Sequence, residues 1–528
     1  MLETLTFIII LSIKLLLFPT NVSTDFEVHR NWKALTNSLP IREWYTNDLN
    51  KWTLDYPPLF AYMEYIFGLI SKIIEPEMTN YNLINYNSTF CKFYMRCTVL
   101  IGDFLLGYSI KKLCFSLNLN KQKCAILIGS ILSFAGLVIV DNIHFQYNSI
   151  LFSIFFLSID SIINDQLIKG AFYYTIALCM KHIFIYMAPA YFVYYLKYLI
   201  FQNLKNKPLK VIKDTFLIII TIISIILISF SPFLYICYKD NSIEQLIHIK
   251  NRLFPFDRGL LHSYWAPNFW AIYSLIDKLL LFNDKKFNNK EYKKKNISSL
   301  GATSINGVTK ETGFDILPNI TSDISNLIVL SFIIIYISKK ILFENRKCDN
   351  NIKRCKLILK YCIMSNLIFF NFGYQVHEKA FIIISLMSLI YVIITDFNKE
   401  SDSISVLSFL LVLIGIIAQI PLIHDYRDYC VKISLVFFYI TFVKVMIFNQ
   451  SKVHKSILFN LLLFVYVFLS IILDFNTTFK SLFNRDLNKY LKELCDINEK
   501  YPFLSLMLYS VLSSLMTQLC FIIMLIFC

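Results

Sequence analysis

The apolar residues of this chain come in long uncharged blocks, and that arrangement limits its possible folds more than any motif does. The stretches 216–235, 327–338, 404–421 and 504–527 contain no Asp, Glu, Lys or Arg. A helix needs about 20 apolar residues to cross the hydrocarbon core of a bilayer, and most of these blocks approach that length. Core helices of a large soluble domain would instead show a polar face repeating every 3.6 residues. Composition agrees, since 16% of the 528 residues are charged where a soluble chain carries about 25%. The expected fold class is an all-α polytopic membrane protein.

The formal net charge of +15 does not imply nucleic acid as a partner. The Lys residues sit in short clusters between apolar blocks, where they orient a membrane protein. The 13 Cys form no CxxC pair and no metal-like spacing, and read as small core residues. The first 20 residues read as a retained helix in preference to a cleaved signal peptide. No basic cluster precedes their apolar run, and no A-x-A site follows it.

With a cytosolic N-terminus, residues 20–90 lie on the far side of the membrane, and alternating crossings give about 14 helices in all. The stretch 264–283 is expected to lie on the far surface without crossing. A crossing there would send the basic segment 339–360 to the non-cytosolic side, against the positive-inside tendency. On this topology the sequons at Asn21, Asn87, Asn296, Asn319 and Asn476 face away from the cytosol, and only Asn449 faces it.

The same topology gathers the polar segments on one face. They are Asp25-Phe26-Glu27-Val28-His29-Arg30-Asn31-Trp32, Leu54-Asp55-Tyr56-Pro57-Pro58, the run 141–148, the run 252–259, the run 264–270 and His377-Glu378-Lys379. A lipid or sugar transporter would place charged or unwound residues near the midplane of its helices. Here the middles of the spans are nearly charge-free and no internal repeat is visible, so an enzyme at the membrane surface fits better.

These segments resemble the dolichyl-phosphate-glucose-dependent α-1,3-glucosyltransferases of asparagine-linked glycosylation. Residues 24–32 followed by 52–58 resemble a pattern shared by the first- and second-glucose enzymes. His144-Phe-Gln-Tyr-Asn148, Lys181-His-Ile-Phe-Ile-Tyr-Met-Ala-Pro-Ala190 and His262-Ser-Tyr-Trp-Ala-Pro-Asn-Phe-Trp270 resemble the second-glucose branch. The resemblance covers residues 24–380; nothing specific remains beyond about residue 400.

What the resemblance implies is a GT-C-type glycosyltransferase of the endoplasmic-reticulum membrane with a lumenal active site. Residues 1–380 would form a catalytic transmembrane module with lumenal loops 20–90 and 238–323, and 381–528 would add C-terminal helices. The donor would be dolichyl-phosphate-glucose and the acceptor a dolichyl-diphosphate-linked oligosaccharide. A β-linked donor giving an α-1,3 product means inversion in one displacement, which needs one general base and no covalent nucleophile. The leaving lipid phosphate needs cationic or hydrogen-bonding partners. No DxD motif appears in the lumenal loops, so neither metal nor cofactor is expected.

Asp25 is the candidate base, five residues past the first span; the alternative is that it caps a helix over 26–35. Asp55 is second, in a segment that also reads as a rigid turn. Glu27, His29, Arg30, Asp55, Tyr56, His144, Gln146, Trp265 and Asn268 are expected to bind substrate, His144 and Gln146 through sugar hydroxyls with interhelical hydrogen bonding as their alternative. Arg252, Arg258, His377 and Lys379 are the candidates for the donor phosphate; the two arginines read equally as membrane-interface residues.

Overall fold

A computed structural model of the chain describes residues 2–201, 206–255, 259–261, 266–283, 314, 316–343, 350–395, 403–423, 425–446, 463–475 and 504–527. Among these residues all regular structure is helical. Eight helices are long and apolar enough to cross a membrane: Thr89–Ser116, Lys121–Ile143, His182–Phe201, Pro208–Asp240, Ser322–Phe343, Asn351–Phe372, Ile404–Leu422 and Leu504–Ile526. Asn148–Ile163, Leu167–Met180, Tyr429–Phe442 and Leu463–Phe475 are shorter apolar helices. The protein is a multi-pass membrane protein. Its chain packs as two units, residues 1–255 with 340–358 and residues 256–339 with 359–528.

In the first unit, α1 (Leu2–Leu15) packs on α5 (Lys121–Leu132) and α4 (Thr89–Ser116). Lys14 and Asp103 meet at 2.7 Å across that seam, 2% and 0% exposed. Such a pair holds only when both charges are compensated in the apolar interior; Ser149 Oγ and Asn142 Nδ2 also donate to Asp103, at 2.9 and 3.0 Å. The first helix is thus fastened into the core of this unit.

The helix α2 (Thr24–Ser38) lies on α3 (Pro58–Ile74). Pro58 opens α3 at a position where its missing N–H costs nothing. Phe60, Ala61, Glu64, Gly68 and Ser71 form its buried face, while Ile66, Leu69, Ile70, Ile73 and Ile74 are exposed. At Gly68 a Cβ would stand 1.9 Å from Asn37 Nδ2, so a larger residue there would displace the Asn37 amide from its bonds to the Lys33 and Tyr65 carbonyls. The helices α6 (Asn148–Ile163), α7 (Leu167–Met180) and α8 (Pro208–Asp240) pack in sequence order, and α9 (Glu244–Leu253) follows α8.

In the second unit, α10 (Phe269–Asn283) and α14 (Ser403–Ile417) both pack on α17 (Leu504–Phe527), and α13 (Phe381–Ile394) packs on α14. The helices α11 (Ser322–Phe343) and α12 (Asn351–Phe372) precede α13; α15 (Tyr429–Met446) and α16 (Leu463–Phe475) precede α17. Ser325 Oγ donates to the Phe372 carbonyl at 2.6 Å, and Lys432 pairs with Asp474 at 2.8 Å, both fully buried.

Candidate active site

The site grows from two chain segments that one arginine ties together. Arg96 on α4 donates to the carbonyls of Leu17, Thr20 and Asn21 after α1, and to the carbonyl of Asn142. The start of α2 is thereby held beside the turn that follows α5. This turn is a π-helical stretch, Val138–Ile143, a feature that often marks functional sites. It leads to Phe145, whose φ is 77°. A bulky residue in the left-handed region costs roughly 1–3 kcal/mol and persists only where its surroundings hold it. The buried Phe145 ring packs on Phe26, His29 and Tyr147, at centroid distances of 5.3, 5.5 and 5.3 Å. The turn brings both His144 and Gln146 to Asp25.

Gln146 Nε2 donates to Asp25 Oδ2 at 2.7 Å, and His144 Nε2 lies 3.4 Å from the same oxygen. The Asp25 side chain is 19% exposed, so the carboxylate is held without being sealed off. Asp25 does not cap α2. Ser23 does, its Oγ accepting from Phe26 N at 3.3 Å and donating to the His144 carbonyl. The capping alternative is thus overturned, and Asp25 sits in the first turn, where the helix dipole favours its negative form. Asn148 Nδ2 donates to Gln146 Oε1 at 2.9 Å, and Lys181 Nζ donates to Asn148 Oδ1 at 2.9 Å. The Lys181 ammonium also lies 4.9 Å from the centre of the Tyr56 ring. Asp55 and Tyr56 are both half-buried. Burial pushes the Tyr56 hydroxyl well above its ordinary value, and the charges of Asp55, Asp25, Asp141 and Glu64 push the same way. These carboxylates therefore share one neighbourhood.

Three residues expected to bind substrate are occupied elsewhere. Glu27 and Arg30 form a two-pronged pair at 2.7 and 2.8 Å. The fully buried Arg30 also donates to the carbonyls of Met78, Asn80 and Leu83, so it clamps the chain that follows α3. His29 is 2% exposed, and its Nδ1 meets Glu64 Oε1 at 2.6 Å. Lys33 donates to Glu64 Oε2 at 2.6 Å and to the Tyr147 hydroxyl at 2.9 Å. Burial lowers the affinity of His29 for a proton. Glu64 stays ionised despite its burial because Lys33 and His29 stabilise its charge. Burial disfavours charge on the Lys33 ammonium as well, opposed by Glu64, and the arrangement reads as an ammonium–carboxylate pair with a neutral imidazole donating to it.

Arg252, expected at the donor phosphate, instead bonds to the Tyr45 carbonyl at 3.2 Å and to the Asp48 carboxylate. It fastens α9 to the loop before Asp55. Asn268, expected at the substrate, belongs to the second unit and is 2% exposed. Its Oδ1 accepts from Trp270 N at 3.2 Å, and its carbonyl accepts from Ser514. Asn268 opens α10 and does not line a surface. Arg258 and Trp265 lie outside the described residues, as do Asn296, Asn449 and Asn476.

His377 and Lys379, also in the second unit, stand at the start of α13; the His377 side chain is 45% exposed and Lys379 half-buried. Their turn is held by Trp270 Nε1 on the Gly373 carbonyl at 2.9 Å, Gln375 N on the Leu260 carbonyl at 3.0 Å, and Gln419 Nε2 on the Glu378 carbonyl at 2.9 Å. Sequence reading did not assign roles to Arg96, Asn148 or Lys181. Arg96 and Lys181 act through contacts 33 to 79 residues apart, which no local pattern signals, while Asn148 also bonds to Gln146 and Asp141 nearby in the chain; Asn148 and Lys181 do fall in the quoted motifs.

Sequence comparison gives the arrangement a context. The model of the ALG6, ALG8 glycosyltransferase family matches residues 10–524. A Drosophila melanogaster protein called probable dolichyl pyrophosphate Glc1Man9GlcNAc2 alpha-1,3-glucosyltransferase is 32% identical over 508 residues, covering 95% of this chain and 90% of its own. Dolichyl pyrophosphate Glc1Man9GlcNAc2 alpha-1,3-glucosyltransferases of Schizosaccharomyces pombe and Mus musculus are 37% and 36% identical. They cover 72% and 80% of this chain, and 72% and 78% of their own.

Proposed function

Because the chain belongs to the ALG6, ALG8 glycosyltransferase family, we propose that it moves glucose from dolichyl-phosphate-glucose to a dolichyl-diphosphate-linked oligosaccharide and adds the second glucose. It is an α-1,3-glucosyltransferase. The names of its relatives specify an acceptor that already carries one glucose, which supports the second-glucose step over the first. In this reading the protein is a GT-C-type enzyme of the endoplasmic-reticulum membrane, with its site on the lumenal side and about 14 crossings.

The observation that carries the mechanism is Asp25, a partly exposed carboxylate held by Gln146 and flanked by His144. The acceptor hydroxyl attacks C1 of the glucosyl group on the face opposite the phosphate. A new C1–O bond forms, the C1–O bond to phosphate breaks, and the hydroxyl proton passes to Asp25. Charge develops on the leaving phosphate, for which the resemblance nominates His377, Lys379 and Arg258 as cationic partners. Arg252 is left out because Asp48 and the Tyr45 carbonyl hold it. A lipid monophosphate leaving group can be met by such cations, so we expect turnover to persist in chelator.

Transfer onto defined lipid-linked acceptors tests the assignment. The expected result is glucose transfer to the acceptor with one terminal glucose and none to the acceptor without. The opposite preference assigns the first-glucose step, and transfer to neither favours a transporter.

A further inference from the structure

We propose that Asp141 and Lys181 are positioning residues that set the polarity of an Asn148–Gln146 amide chain, so that an N–H faces Asp25 and a carbonyl does not. The inference rests on Asp25 being the general base.

A side-chain amide has two distinguishable ends, and which way it points is decided by what it meets. Asn148 is placed between two groups of fixed sign. Asp141, fully buried, can only accept when ionised, and Asn148 Nδ2 donates to its Oδ1 at 2.8 Å. Lys181 can only donate, and it donates to Asn148 Oδ1 at 2.9 Å. Reversing Asn148 would set an N–H against an ammonium and a carbonyl against a carboxylate. Its orientation is therefore fixed from both ends.

The second N–H of Asn148 then points to Gln146, whose Oε1 must accept it, at 2.9 Å. Gln146 in turn has only its Nε2 left for Asp25, at 2.7 Å. Asp141 is itself held by Ser149 N at 2.7 Å on its other oxygen. Behind it, Lys14, Asp103 and Ser149 form a further buried chain, at 2.7 and 2.9 Å. The inner links are buried, those to Asp25 and Lys181 partly so, and each donor meets an acceptor, so an error in one link propagates to the next. The product of the chain is a donor aimed at the carboxylate that must be ionised to accept a proton.

The test separates polarity from packing. Gln146→Glu keeps the shape and the bond from Asn148 but presents a carboxylate to Asp25, whereas Gln146→Leu merely removes the donor. If polarity is what matters, Gln146→Glu falls below Gln146→Leu in kcat, both at least about tenfold below wild type with KM for each substrate within about threefold. If Gln146 only fills space, the order reverses.

The paired exchange Asp141→Asn with Asn148→Asp checks the source. It keeps the net charge and the bonds to Ser149 N and Lys181, but forces the Gln146 carbonyl toward Asp25. We expect the exchange to stay about as impaired as Asp141→Asn alone, with a normal elution profile and melting temperature. Recovery of wild-type kcat in the exchange overturns the proposal, as does wild-type kcat in Asp141→Asn. Asp25→Asn is measured alongside. Full activity there removes the base and this inference with it, while an inactive Asp25→Asn with the reversed Gln146 order rejects this inference alone.

Discussion

Replacing Asp25 by Asn removes one oxygen's basicity and almost nothing else. Ser23, and not Asp25, caps α2, so the variant should fold and express normally. Loss of a general base costs roughly 10²–10⁴ in rate, and we expect glucose transfer to fall at least about a hundredfold. A variant with unchanged turnover would move the base to Asp55. Arg30→Met should act differently. It leaves Glu27 buried without its partner, at a cost of about 3–5 kcal/mol, so the loss should appear in melting temperature and yield before any change in KM. A stable Arg30→Met protein with a raised acceptor KM would restore the substrate-binding reading. The contrast shows what was legible in the sequence. The resemblance implied Asp25, and the polar run around it marked a surface at the end of a span. That Glu27 and Arg30 satisfy each other was readable only as an i,i+3 spacing. The carbonyls of Met78, Asn80 and Leu83 that complete the Arg30 site lie 48 to 53 residues away, and their arrival depends on how α3 ends. Asn268 misled for the same reason, because a capping Asn and a substrate-binding Asn look alike until the helix boundary is known.

The pairing of α2 with α3 rests on His29, Lys33 and Glu64, and it should be sensitive to acid. His29 titrates below its ordinary 6.5 because of burial, and Glu64 titrates below its ordinary 4.5 because of Lys33 and His29. In both cases the unfolded chain takes up a proton before the folded one does. Stability is therefore present at neutral pH, begins to fall as pH drops below about 6.5 through His29, and falls further below about 4.5 through Glu64. Lys33, also held low by burial, acts in the same sense at the alkaline end. We expect the melting temperature in detergent to decline between pH 7.5 and about 5, and the decline to flatten in His29→Gln, which can still donate to Glu64. A wild-type curve that is level over that range would mean that His29 takes up its proton equally in the folded and unfolded chain, and one that rises toward acid that it is already protonated when folded; either would reject the neutral-imidazole assignment. None of this was visible in sequence, where His29 read as a substrate-binding residue in a motif and Glu64 carried no assignment. The strained Phe145 belongs to the same lesson. A Phe between His and Gln predicts nothing unusual, and its left-handed backbone follows only from the rings that surround it.

For the whole chain, the basic segments and the helix lengths must agree on one topology, and the helix α10 decides it. Its 15 residues span about 22 Å at 1.5 Å per residue, short of the roughly 30 Å of hydrocarbon. The chain also returns to the side of α10. The backbone N–H groups of Ile316 and Leu317 both donate to Asp277 Oδ1 at 2.9 Å, and the Tyr273 hydroxyl donates to the Pro318 carbonyl at 2.9 Å. Four to six residues later α11 begins at Ser322. The segment that leaves for α11 therefore lies beside α10, as the surface hairpin expected from the sequence would have it. A surface position for α10 would let α11 carry the chain to the cytosol and would put the lysines around 339–360 where the positive-inside tendency places them. A short glycosylation tag inserted within residues 284–313 should be modified in a eukaryotic host, and the same tag inserted within 344–349 should not. Modification at 344–349 would mean that α10 or an earlier segment crosses once more. It would also invert the predicted side of every later loop, including the turn that carries His377 and Lys379, and so remove both from the donor phosphate.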